Sequence, residues 1–172
     1  TFFLKLNSII LVIALGGISV LYAMPVLKPL GSGKRLRDVP FIKIFLIALV
    51  WAGSSVLLPA TEAGLSLIHF RLIWILFATQ FIFIFFITLP FDINDFYNDT
   101  RTNIRTIPTI FGKKTAKALM ILLFGIHAAL LLYYFMIQNW NHMPDLFLTE
   151  AFYISIITLT FFLLLHSIFY AD

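Results

Sequence analysis

Long apolar runs separated by short polar segments set the pattern of this chain. The runs cover residues 6–22, 41–58, 68–90, 116–137 and 148–170. Each holds about 18 residues or more, and at 1.5 Å per residue that reaches roughly 27 Å, enough to cross the hydrocarbon core of a bilayer. Five membrane-spanning helices are therefore predicted. No basic segment and no small-residue cleavage site flank the first run as they would in a signal peptide, and no Met precedes Thr1, so the chain is expected to start in mid-protein. There is no internal repeat of solenoid period and no long linker, although Gly31-Ser32-Gly33 gives the first connection a flexible point.

Composition narrows the class further. Of 172 residues, 61% are hydrophobic and 12% charged, and a mean hydropathy of +1.00 is well above that of a soluble domain. The expected fold class is all-α, a polytopic membrane helical bundle whose surroundings are membrane lipid. The absence of cysteine excludes a disulfide scaffold. A net charge of +4 with no concentrated basic stretch gives no sign of a nucleic-acid partner.

The placement of charge says more than its sum. Lys28, Lys34, Arg35, Arg37 and Lys43 lie in or beside the first connection, and Arg101, Arg105, Lys113, Lys114 and Lys117 in or beside the third. The second connection contributes Glu62, and the fourth contributes Asp145 without a Lys or Arg. Basic residues collect in cytoplasmic loops. The multi-span topology expected has loops 23–40 and 91–115 in the cytoplasm and the other two connections outside.

The third connection carries the densest chemistry. It opens Phe91-Asp92-Ile93-Asn94-Asp95-Phe96-Tyr97-Asn98-Asp99-Thr100-Arg101. Asp92, Asp95 and Asp99 are spaced i, i+3 and i+7, which on a helix places three carboxylates on one face, repelling one another unless a cation lies between them. Magnesium suits such a place, because it takes oxygen ligands, keeps several waters and usually binds one or two carboxylates together with substrate phosphate oxygens. Arg101 and Arg105 follow closely enough to hold remaining phosphate charge. An acidic cluster is ordinarily just a solvated loop. Here the other five acidic residues are scattered singly, while these three share a face at the rim of an apolar span, where charge is costly and tends to be functional.

Other polar residues have plainer readings. Arg71, near the end of its span, is expected to extend its side chain to the interface. His69, His127, His166 and Gln80 occur singly at membrane depth, and hydrogen bonding between helices is expected of them. Tyr133 and Trp140 read as interfacial anchors.

The run from Asp92 to Asp99, continuing through Ile104-Arg105-Thr106-Ile107-Pro108 to Phe111-Gly112, resembles the second aspartate-rich motif, DxxDxxxD with its IRT and FG tail, of the UbiA superfamily of intramembrane prenyltransferases. Tyr22-Ala23-Met24-Pro25-Val26-Leu27-Lys28 is similar to the Tyr/Pro/Lys segment after the family's fourth helix, and Pro40-Phe41-Ile42-Lys43 with Trp51 suits its fifth. The resemblance covers helices four to eight of a nine-helix fold. Residues 1–172 would then form one transmembrane domain that is part of a larger prenyltransferase domain, without turnover on its own. The chain departs from the family in three places. It has no counterpart of the NxxxDxxxD motif, it carries Asn103 where many members have Gly, and Tyr22 and Lys28 are further apart than in YxxxK. Asn tolerates left-handed backbone almost as Gly does.

The resemblance implies magnesium-dependent transfer of a prenyl group from a polyprenyl diphosphate to a lipophilic, commonly aromatic acceptor. Asp95 and Asp99 would be the catalytic metal ligands with Asp92 as a third, and Arg105, Lys28, Arg101 and Tyr22 would contact substrate. Two other classes compete. A phosphatidyl-type transferase would carry DG and AR pairs in a longer register, which are missing. A transporter would place acids in mid-membrane rather than beside basic residues at a helix end; a membrane protein whose acidic loop binds cations without catalysis is the alternative. The topology can be checked with single cysteines: at Ser32 and Thr102 they should react with an impermeant reagent from the cytoplasmic side alone, and at Asn141 from outside. Labelling of positions 32 and 102 from opposite faces would reject the arrangement.

Overall fold

The structure is a computed structural model and describes residues 5–24, 41–65 and 71–139. Its regular elements are all helical: α1 (Leu6–Ala23), α2 (Ile42–Ala52), a π turn (Gly53–Leu57), α3 (Leu58–Glu62), α4 (Arg71–Asn94), α5 (Phe96–Arg101), α6 (Ile107–Phe111) and α7 (Lys113–Asn139). Four helical segments are long and apolar enough to cross a membrane: Leu6–Ala23, the continuous Ile42–Glu62, Arg71–Asn94 and Lys113–Tyr134. They match four of the five runs read from the sequence. The fifth, 148–170, lies outside the described residues, as do nearly all of loop 23–40, His69, Trp140 and His166.

The outside of the bundle supports the membrane reading. Leu6 is 72% exposed, Ile13 67% and Met136 71%. Side chains of this kind are stable at a surface that faces acyl chains. Lipid also removes the usual driving force for helix association, since tails are as apolar as leucine, so close packing and interhelical hydrogen bonds must hold the helices together. Both are present. α4 packs most extensively on α7 and next on α2. One buried cluster joins Ile44 of α2, Phe86, Leu89 and Ile93 of α4, Ile107 of α6, and Ala116 and Met120 of α7. A second joins Leu57, Ala60 and Ile73 near the opposite end.

Away from the aspartate end, polar links cross between helices at two heights. His127, buried on α7, places Nδ1 3.0 Å from the carbonyl of Thr79 on α4, the role expected for it. At the end opposite the aspartates, Arg71 donates to the Tyr133 hydroxyl at 2.9 Å and its guanidinium lies 6.0 Å from that ring. At the same end Ser8 of α1 donates to Thr61 of α3 at 3.1 Å, and the Lys5 backbone N–H donates to Glu62 at 3.1 Å.

Two local irregularities have physical causes. Pro59 has no N–H and its ring crowds the carbonyl four residues back, and the π turn just before it widens the helix there. The hydroxyls of Ser54 and Ser55 donate to the Trp51 carbonyl at 3.1 and 2.7 Å. Pro90 does not end α4, although the apolar run was read as stopping there; the helix continues to Asn94. A proline costs one amide donor and a local bend, and burial of Asp92 and Ile93 behind it holds the last turn in place.

At Gly53 the second span lies against Leu15 of α1. A Cβ built there would lie 2.9 Å from Cδ2 of Leu15. Gly53→Val should therefore lower stability in detergent by about 1–3 kcal/mol through overpacking. Thermal unfolding of Gly53→Val in a Leu15→Ala background should recover most of that loss; an equal penalty in both backgrounds would place the cause elsewhere.

Candidate functional site

The aspartate-rich run straddles the end of α4. Asp92 lies in its last turn, Asp95 at the junction with φ −81° and ψ 1°, and Asp99 in α5. The amide of Asp95 bonds the Phe91 carbonyl at 2.9 Å and that of Asp99 bonds the Asp95 carbonyl at 2.9 Å, so the helical path continues across the break. The i, i+3, i+7 spacing thus acts on a nearly continuous helix. Their surroundings differ sharply. Asp92 is buried, Asp99 half-buried and Asp95 exposed.

Asp92 has found a protein partner. Lys43, in the first turn of α2, places Nζ 3.3 Å from Asp92 Oδ1, with the carboxylate side chain 4% exposed and the lysine side chain 42%. In the sequence Lys43 is one of the basic residues that set topology and part of the segment that resembles the family's fifth helix, with no role at the site. Nothing in local spacing joins residues 43 and 92; the contact exists because α2 and α4 pack side by side. Among the described residues no three His, Asp or Glu side chains converge as a metal-ligand set. Two carboxylates, Asp95 and Asp99, remain unclaimed by Lys43, a donor number that suits magnesium completing its shell with waters and phosphate oxygens.

The segment after the aspartates is shaped by capping. α5 closes in a Schellman arrangement: the Ile104 amide bonds the Asp99 carbonyl at 2.8 Å and the Asn103 amide bonds that of Thr100 at 3.4 Å. Asn103 sits at φ 55°, the left-handed conformation this closure needs. Thr106 then begins α6 with a reciprocal box, its amide donating to Thr109 Oγ1 at 2.7 Å. Pro108 fits the first turn of that helix, where no amide donor is needed, and Gly112 at φ 85° ends it. Lys113 begins α7 over the rings of Phe96 and Tyr97, 5.4 and 4.6 Å from their centroids, which ties α5 to the start of α7.

Arg105 lies in the link between the two caps and is exposed. It lines a narrow cleft with Lys43 and Asp92, above the buried side chains of Ile44 and Ile107 and with Phe41 at the rim. The cavity volume is about 20 Å³, room for roughly one water. Phe41 turns the chain into α2 at φ 64°, an unusual backbone for a bulky residue, and its ring lies 6.0 Å from that of Phe111.

Arg101, at the end of α5, is exposed and does not line the cleft. Tyr22 lines a different cavity, of about 160 Å³, between α1 and α2 with Ile18, Ser19, Ile47 and Trp51. Lys28 lies outside the described residues. Comparison with protein-family models, with curated proteins and with solved structures finds no match to this chain.

The cap at residue 103 is directly testable. Asn103→Gly should leave stability unchanged or slightly raised, whereas Asn103→Val should cost about 1–2 kcal/mol, the penalty for left-handed backbone at a β-branched residue without the local hydrogen bonding that lets Asn adopt it. Thermal unfolding of the two variants in detergent checks it; equal stability of the Val and Gly forms would mean the left-handed turn is not required.

Proposed function

We propose that this chain contributes the diphosphate-binding half of a magnesium-dependent intramembrane prenyltransferase, one that moves a polyprenyl group from its diphosphate to a lipophilic, aromatic acceptor. The observation that carries the reading is the gathering of Asp92, Asp95, Asp99, Lys43 and Arg105 at one end of an apolar helical bundle. Carboxylates and cations there suit a charged headgroup and its metal, while the helices beyond are apolar enough to accompany a long isoprenoid. The same end is where basic residues flank the loops, and we take it as the cytoplasmic face.

Asp95 and Asp99 would hold the magnesium, which when bound neutralises the leaving diphosphate. Arg105 offers five fixed donors to phosphate oxygens from an exposed position. Lys28 and Arg101 would add charge from the flanking loops. Breaking the allylic C–O bond leaves carbocation character on the prenyl carbon. Apolar walls that exclude water would preserve that carbon for the acceptor rather than for hydrolysis.

The test is a transfer assay on the full-length protein in liposomes with magnesium, a prenyl diphosphate and a panel of aromatic acceptors. Asp95→Asn and Asp99→Asn should each lower turnover by about 100-fold or more, as loss of a charge-stabilising group typically does, without changing thermal stability. Arg105→Ala should chiefly raise the KM for the diphosphate. Near-normal transfer by the Asp95→Asn, Asp99→Asn double variant would remove the metal role. Magnesium-dependent uptake of a cation without prenyl transfer would favour transport instead.

A further inference from the structure

The ion pair between α2 and α4 occupies one donor of an ammonium that has three. Lys43 keeps 42% of its side chain exposed, so its other donors remain open at the mouth of the cleft, while the carboxylate that fixes it is 4% exposed. Arg105 lines the same cleft from the opposite side of the sequence, in the link between α5 and α6. Two cationic residues, Lys43 and Arg105, therefore line one cleft with Asp92. Lys43 also belongs to the first turn of α2, whose N-cap residue Phe41 supplies no side-chain cap, so the positive end of that helix adds to the local potential. The cavity of about 20 Å³ is too small to swallow a phosphate group. An anion would sit at its mouth, on the exposed faces of Lys43 and Arg105.

The same geometry argues against Asp92 as a metal ligand. A divalent ion at Asp92 would have to displace an ammonium from an almost fully buried oxygen and set two cations against each other. Asp95 is exposed and Asp99 half-buried, and neither requires that exchange.

We propose that Lys43 is a phosphate-binding residue, held in place by Asp92, and that Asp92 acts as its anchor rather than as a third magnesium ligand. A lysine at a membrane rim would ordinarily extend toward water; the buried carboxylate keeps this one at the cleft. The ligand chemistry is a phosphate dianion or diphosphate. Its assignment to a prenyl diphosphate rests on the transferase reading above, but anion binding itself does not.

The experiment titrates inorganic diphosphate into purified full-length protein in detergent with EDTA, following thermal stability, with sulfate at matched ionic strength as the screening control. Wild type should be stabilised by diphosphate beyond the control. Lys43→Met should weaken the apparent affinity by about tenfold or more, the loss expected for a charge-assisted hydrogen bond, while Lys43→Arg should stay within about threefold. Asp92→Asn should weaken diphosphate binding without raising the magnesium concentration needed for half-maximal transfer, whereas Asp95→Asn should raise it. If a single variant fails to fold because a buried charge is left alone, the neutral pair Lys43→Met with Asp92→Asn removes both charges and should still lose affinity.

Unchanged diphosphate affinity in Lys43→Met, or in the neutral pair, overturns the proposal. So does absence of binding by wild type, or a magnesium requirement raised as much by Asp92→Asn as by Asp95→Asn. Stabilisation through Lys43 by phosphatidylglycerol in mixed micelles but not by diphosphate would overturn the diphosphate assignment in favour of a lipid headgroup. Lys43-dependent diphosphate binding in a protein that transfers no prenyl group would sustain the anion site and reject the transferase reading.

Discussion

The end of the bundle that carries the aspartates depends on one buried contact, the Asp92–Lys43 ion pair between α4 and α2. Removing a carboxylate from water is expensive, and a partner in good geometry offsets that cost only while it stays in place. The pair therefore restricts how α2 may slide or rotate on α4. Ile44, the next residue after Lys43, is buried in the same cluster as Ile93, the next residue after Asp92, with Ile107 of α6 beside them. Charge and packing thus specify one register. A shift of one turn along α2 would separate the ions and lift Ile44 out of the cluster together.

That register decides how the rest of the site is presented. The segment from Asn103 to Gly112 looks from its sequence like a single motif, yet most of its residues have structural jobs. Asn103 supplies a left-handed closure, Thr106 and Thr109 cap α6, Pro108 occupies a first-turn position, and Gly112 allows the exit. Ile107 is core. Arg105 is the exception, since it is exposed and lines the cleft, and no cap or core contact requires a guanidinium there. A residue whose backbone is fixed on both sides and whose side chain is left to the surface is well placed to act on a ligand.

The spans were legible because apolar length is a one-dimensional property, and four of them fell within a few residues of the observed helices. Their ends were less legible. Pro90 reads as a stop in local terms, but the burial of the turn beyond it comes from other helices. His127 was read correctly as a bond between helices, although its acceptor, the Thr79 carbonyl, carries no sequence signal at all. Arg71 and Tyr133 were each read as interfacial residues, while their meeting required knowing that the start of α4 lies against the end of α7. For the site, the acidic spacing and Arg105 were visible in order along the chain. Lys43 was not, because its meaning comes from a partner 49 residues away.

The distribution of polar links explains why the bundle can carry a charged rim at all. In lipid, burying leucine against leucine gains little over leaving it in the tails, so the order of the helices must be set by contacts that lipid cannot imitate. The Ser8–Thr61 and Arg71–Tyr133 bonds join helices in pairs at the end away from the aspartates, His127 ties α7 to α4 between the two clusters, and Gly53 lets α1 approach the second span. Because those contacts already define the neighbours, the Asp92–Lys43 pair need not assemble the bundle unaided, and its charges can be positioned for a ligand at the rim. That pair combines deep burial at one partner with exposure at the other. This asymmetry separates a contact that merely locks two helices from one that also holds a cation toward the surface, and it makes Asp92, the most buried of the three aspartates, the least suited to share a metal.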